Sequence, residues 1–160
     1  MNYQYIAGFF DGEGTTRIEK SENRVSISIP QTNLLVLQKI QKFCGFGRIC
    51  KVKKRKEHWK DSWVFFIVKE EDSKKFLKNI LNKTIVKKEN IFNSLEFLKE
   101  KDKKRKVEIK FRNKLIRKIK SGCSYREIEK ETGIDHSTLA LWVKDKEKGN
   151  KLKIRRFKGC

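Results

Sequence analysis

The clearest pattern in the chain is the alternation over Arg24–Pro30, where Val25, Ile27 and Ile29 fall on one face and Arg24, Ser26 and Ser28 on the other. That period of two predicts a strand buried on one side only. Thr15–Lys20 reads as its hairpin partner across the turn cluster Ser21-Glu22-Asn23, with Thr16 and Ile18 inward and Arg17 and Glu19 outward. At Asn33, a good N-cap, the period becomes helical: Leu34, Leu37, Ile40 and Phe43 form a stripe that Gly45 can close. Strands are predicted next over Gly47–Lys53 and Ser62–Val68. The basic connection between them, 54–61, reads equally as a solvated hairpin loop or as a segment tracking a phosphate backbone. Ile49 and Val52 do not alternate, so the inward face of the third strand stays open. Two helices close the set. Asp72–Leu81 would bury Phe76, Leu77, Ile80 and Leu81; Lys87–Lys99 would bury Ile91, Leu95 and Leu98, with Phe92 nearby.

Beyond residue 99 the character changes. Residues 101–120 hold eleven Lys or Arg against two acids, a balance of 11 − 2 = +9. A like-charged run of this kind predicts a linker, placed at 100–107. A helix carrying Ile109, Leu115, Ile116 and Ile119 then runs to Ser121-Gly122. Ser124-Tyr125-Arg126-Glu127 is a capping box that opens a second helix. Thr132-Gly133 breaks it, and Asp135 can cap a third helix with Leu139, Trp142 and Val143 inward. Helix, glycine turn and helix resemble a helix-turn-helix. That resemblance implies that His136, Ser137, Ala140 and Lys144 would face the major groove. Glu129 departs from it, since such motifs carry a small residue there. The organisation expected is therefore an α+β domain over 1–99, a basic linker over 100–107, a small all-α domain over 108–147 and a basic tail over 148–160.

Composition adds a partner. The 160 residues carry a net charge of +21, and such an excess predicts a polyanion, because each Lys or Arg set against a phosphate releases counterions. No apolar run approaches the ~20 residues of a membrane helix. Met1-Asn2-Tyr3-Gln4 is not the start of a signal peptide, so an intracellular, unsecreted protein away from membranes is expected. The four cysteines, at 44, 50, 123 and 160, show no CxxC spacing. With His58 they fit no common zinc finger, and free thiols are expected.

The stretch with most chemical content is Ile6-Ala7-Gly8-Phe9-Phe10-Asp11-Gly12-Glu13-Gly14. It reads as a short helix ending at Gly14. Gly8 and Gly12 share a face, at a cost in helix stability that makes sense where another backbone comes close. Glu13 stands at the helix C-terminus, where the dipole disfavours an anion. These nine residues resemble the signature helix of the LAGLIDADG homing endonucleases, with Glu for Asp at the eighth position, and the likeness extends more loosely over about residues 5–99. It implies an α-β-β-α-β-β-α-α half-saddle on a four-stranded antiparallel sheet, whose polar face (Arg17, Glu19, Arg24, Ser26, Ser28) would be the floor of a DNA-binding saddle. One signature helix per chain implies a homodimer through Gly8 and Gly12.

By the same resemblance Glu13 is a catalytic metal ligand, helped by the Gly12 carbonyl. Asp11 is a structural acid, Gln31 orients hydrolytic water, and Lys87 sits near the scissile phosphates. The cofactor implied is Mg²⁺ or Mn²⁺, since hard cations take carboxylate and carbonyl oxygens. The expected activity is double-strand cleavage of DNA by phosphodiester hydrolysis. Non-cleaving DNA-binding regulators and group I intron maturases use a similar fold, so these two alternatives stay open, with intron RNA as a further partner.

Overall fold

The computed structural model describes residues 1–54 and 56–147. The expected basic tail, 148–160, lies outside the described residues. Secondary structure begins with α1 (Tyr3–Glu13), which Asn2 caps by accepting a hydrogen bond from the Tyr5 amide at 2.9 Å. Strands β1 (Thr15–Glu19) and β2 (Arg24–Gln31) follow as a hairpin, then α2 (Leu34–Cys44), β3 (Arg48–Lys51), β4 (Trp63–Ile67) and α3 (Glu70–Ile80). The described residues end in α4 (Lys88–Lys120), α5 (Tyr125–Thr132) and α6 (His136–Glu147). This is an α+β fold with one antiparallel sheet, ordered β1-β2-β4-β3. Among the described residues no helix is long and apolar enough to cross a membrane.

The alternation in β2 sets the sheet's two faces. Val25, Ile27 and Ile29 are buried, and the register places Ile27 beside Ile67 and Ile29 beside Phe65. The buried side chains of α1, α2, α3 and the first turns of α4 meet them in one cluster containing Ile6, Phe10, Leu37, Ile40, Phe76, Leu77, Ile91, Leu95 and Leu98. Burial of that set is the main driving force for this unit. Three expected core residues are not in it, and one of them, Leu34 at the start of α2, is only half-buried. Phe43 is 39% exposed, because Cys44 completes the α2 stripe one position later. Phe43 instead meets the Tyr3 ring edge-on at 5.0 Å. Phe92 is 51% exposed, one residue past Ile91 on the outer side of α4.

The largest departure from the pattern is α4, a single helix of 33 residues. The expected linker at 100–107 is its middle. Between Lys88 and Lys120 there is neither Pro nor Gly, and Lys, Arg, Glu and Leu are all good helix formers. Spread around a helix, the basic residues reach water on several sides, so charge alone did not break it. The compact first unit nevertheless ends close to the expected boundary, at Asp102. Ion pairs extend it past residue 99: Lys101 meets Glu70 at 2.8 Å, and Lys74 meets both Glu70 at 2.9 Å and Asp102 at 2.7 Å.

That cluster makes a measurable contribution. Burial pushes the Glu70 carboxyl up, but Lys101 and Lys74 outweigh it and bring the pKa down to about 2 from an ordinary 4.5. A folded-state pKa below the unfolded one stabilises fully above the unfolded value, and the gain is lost as pH falls through the folded one. Glu70→Gln is thus expected to cost on the order of 2 kcal/mol at neutral pH. Urea unfolding of both proteins should show the difference shrinking as the pH is lowered from 4.5 toward 2.

The second unit, from residue 103 onward, has its own core of Leu115, Ile116, Ile128, Leu139 and Trp142. Ser124 and Glu127 form the expected capping box, and Gly133 takes the left-handed conformation at φ 70° that ends α5. Arg112 is buried here. Its guanidinium lies 4.2 Å from the centre of the Trp142 ring, a cation–π contact, and its Nε has no hydrogen-bond partner. Burial lowers its pKa.

Candidate nucleic-acid cleavage site

The site is built at the end of α1. Gly14 is required there by packing: a Cβ at that position would lie 2.0 Å from the Phe10 ring. Gly8 and Gly12 are different. Nothing lies within 4 Å of a Cβ added to either, and both are exposed. The chain itself therefore gives no reason for them, and each costs helix stability relative to alanine. The same outward face carries Tyr5, 49% exposed, stacked on Phe9 with ring centres 6.1 Å apart.

Asp11 is turned inward toward the segment before α4. Its carboxylate accepts from the backbone amides of Ile85 at 2.7 Å and Lys87 at 3.0 Å. Burial raises its pKa, but the amides of Ile85, Lys87 and Val86, with the Lys87 charge, outweigh that and hold it low. The Lys87 side chain then crosses to the C-terminus of α1. Its Nζ donates to the carbonyls of Phe10 at 3.1 Å, Gly12 at 3.4 Å and Gly14, and lies 5.8 Å from the centre of the Phe10 ring. A cation against the C-terminal carbonyls of a helix is favourable on both hydrogen-bond and dipole grounds. Asp11 and Lys87, more than seventy positions apart in sequence, thus tie the end of α1 to the segment before α4.

Glu13 is exposed beside this clamp and, among the described residues, has neither a hydrogen bond nor an ion pair. An exposed, unpaired carboxylate beside the Gly12 carbonyl offers the oxygen donors a hard divalent ion prefers. Gln31 closes β2, and β1 starts opposite Ser28, so the end of α1 and the end of β2 share one end of the sheet. The Gln31 Oε1 accepts from the Thr32 amide at 2.7 Å and the Thr32 hydroxyl at 3.2 Å. Its amide nitrogen is left to face other groups.

The sheet face opposite the core carries Arg17, Glu19, Arg24, Ser26 and Ser28. Three of them are tied to one another. Glu19 takes hydrogen bonds from the Arg24 Nε and, at 2.7 Å, from the Ser26 hydroxyl, while Arg24 also meets Glu22 at 2.9 Å. Ser26, then Arg24, hold the Glu19 carboxyl below its usual range. Arg17 is exposed and outside that cluster. Arg48 was not legible in the sequence. Its register partner is Phe66, which itself pairs with Ser28, so Arg48 and Cys50 belong to the open face while Ile49 packs inward. Thr15, Ser28, Phe66 and Arg48 form one row across four strands.

In the second unit, Ser137, Ala140 and Lys144 are exposed on α6. His136 is exposed too, but its Nδ1 lies 3.1 Å from Asp135 and 3.3 Å from Glu129. Glu129 thus points at the N-terminus of α6, where an anion is favourable. Asp135 also caps that helix, accepting from the Ser137 amide at 3.0 Å and hydroxyl at 2.8 Å.

The sequence profile of the LAGLIDADG endonuclease family matches residues 6–101. None of the curated proteins matches the chain. Among solved structures, the homing endonuclease I-CvuI, held in complex with the I-CreI target in the presence of Mg with the DNA not cleaved, is 25% identical with a TM-score of 0.50; the match covers 61% of this chain and 65% of that one. The LAGLIDADG meganuclease I-AabMI, bound to uncleaved DNA, is 18% identical with a TM-score of 0.50, over 64% of this chain and 39% of that one, a likeness of fold alone. The chain therefore spans less than two thirds of the length of either. An archaeal intron-encoded endonuclease, I-Vdi141I, complexed with DNA, matches at 17% identity over 97% of this chain and 87% of that one, with a TM-score of 0.49.

Proposed function

The chain belongs to the LAGLIDADG endonuclease family, and from that premise we propose that it is a site-specific DNA endonuclease, working as a homodimer with Mg²⁺ or Mn²⁺. The observation that carries this reading is the end of α1: an exposed, unpaired Glu13 beside the Gly12 and Gly14 carbonyls, on a helix whose Gly8 and Gly12 face is open. A non-cleaving regulator has no use for an anion turned toward phosphates. Two close Glu13 carboxylates on a shared axis would repel each other unless cations lie between them.

Glu13 and the Gly12 carbonyl hold the divalent ion in this reading. When bound, the ion supplies an activated water and neutralises charge developing on the phosphate and the leaving oxygen. The chain's own residues do the positioning. Lys87 fixes the carbonyls of the last turn of α1, and Asp11 fixes the segment that delivers Lys87. Gln31 turns its amide nitrogen, the end not used by Thr32, toward water at the strand end. Arg17, Arg48, Ser26 and Ser28 face the duplex from the open side of the sheet. Incubating the full chain with a library of duplexes in Mg²⁺ and in EDTA tests the reading: discrete double-strand cuts at one site in Mg²⁺ alone support it. Binding without cuts in either Mg²⁺ or Mn²⁺ points to the regulator, and intron RNA splicing without DNA cuts to the maturase.

The α5–turn–α6 segment serves in the same reading as a second DNA contact that lengthens the footprint, through Ser137, Ala140, Lys144 and His136. Removing everything after Asp102 leaves the first unit's core and the Glu70 ion pairs whole. The truncated chain is expected to fold, to bind more weakly, to protect fewer base pairs, and to show a shallower dependence on salt, because fewer counterions are released. Footprinting at two salt concentrations checks this; unchanged footprint and slope would make the second unit a cap and not a reader.

A further inference from the structure

Along β4 the outward positions are Val64 and Phe66, with Val68 one step past the strand end. All three are apolar, on a face that also carries Arg17, Glu19, Arg24, Ser26, Ser28 and Arg48. Phe66 is 36% and Val68 45% exposed, although buried positions alternate with them at Phe65 and Ile67. The stripe runs down the middle of the sheet, since β4 lies between β2 and β3. Ser28 and Arg48 flank Phe66, and Pro30 and Cys50 flank Val64. Leaving such a stripe in water gives up burial worth ~25 cal/mol per Å². A solvated strand face has no need of it.

We propose that this stripe reads thymine: Phe66, with Val64 and Val68, packs against the C5-methyl groups of thymines in the major groove. The inference rests on the DNA-binding reading above. The occupant is chosen by what surrounds the stripe. Arg17 and Arg48 share its face, and the chain carries +21 overall, which suits a phosphate-lined partner over an apolar protein surface. The major groove has one apolar group, the thymine methyl, set among hydrogen-bonding base edges. Phe66, set between Ser28 and Arg48, has the matching order. Residues on one face of a strand recur every ~6.7 Å, about two base-pair rises of ~3.4 Å. The thymines read by one subunit therefore fall within about five consecutive base pairs.

The test uses the full chain in Ca²⁺. Sites are selected from a random duplex library, then resynthesised with deoxyuridine replacing thymidine one position at a time, which removes the methyl and nothing else. At least two positions within a window of about five pairs are expected to weaken binding about three- to fivefold each. Phe66→Ser should bind thymine and uracil duplexes alike at the position it reads, while Phe66→Leu should keep part of the preference. Should Phe66→Ser fail to fold, Val68→Thr, at an exposed strand end, carries the same comparison. A chain that binds no duplex overturns both this inference and the DNA-binding reading. A chain that selects a site yet binds its uracil forms equally well overturns the thymine inference alone, as does an unchanged thymine preference in Phe66→Ser.

Discussion

Glu13→Gln is expected to leave DNA binding intact and to slow cleavage on the order of a thousandfold. The substitution keeps the side chain's size and removes only its charge. Nothing folded depends on that charge: Glu13 is exposed and, among the described residues, unpaired. It also stands at the C-terminus of α1, where an anion is unfavourable by ~0.3–1 kcal/mol, so the variant should be no less stable than the parent. Taking a negative charge away from phosphates should hold or tighten binding. The measurement is a matched pair, gel-shift affinity in Ca²⁺ and single-turnover cutting in Mg²⁺. Full activity would remove Glu13 from the reaction, and lost binding would make it a structural group.

Gly12→Leu is the second large effect. Within one chain a side chain has room to start there, since no atom lies within 4 Å of a Cβ placed at Gly12. It should even favour α1, leucine being better than glycine in a helix by ~0.8 kcal/mol. Between two chains it should hold the crossing helices apart and abolish cutting and pairing together. Thermal unfolding, sedimentation and cleavage of the same preparation separate the cases. A stable, monomeric, inactive protein fits the crossing. An active dimer would place the interface elsewhere, and a destabilised monomer would mean that Gly12 is needed by the chain itself.

The parts of the fold that were legible from sequence are those where local chemistry and burial agree. Val25, Ile27 and Ile29 alternate because one face of β2 is buried and the other is not. The Ser124–Glu127 capping box is a local hydrogen-bond unit, so its spacing alone identifies it. What was hidden depends on distant partners. The face of Arg48 is decided by its pairing with Phe66, on a strand reached only after a loop of more than ten residues. Lys87 is singled out only by the family resemblance, not by any pattern around it. Its grip on the carbonyls of Phe10, Gly12 and Gly14 spans more than seventy residues, and no local pattern encodes it. In α4 a like-charged run predicts a linker, whereas without Pro or Gly its helix propensity wins. Arg112 escaped for a related reason, since a buried arginine is intelligible only once Trp142 is seen beside it.

That Arg112–Trp142 pair has an optical consequence. Trp59 and Trp63 belong to the first unit, and Trp142, 7% exposed against a guanidinium, to the second. With Trp59 and Trp63 replaced by phenylalanine, all indole emission comes from the second unit. Its urea transition can then be set against the far-ultraviolet signal of the whole chain. Coincident curves would mean one cooperative transition, and separated curves would give each unit its own midpoint without any label.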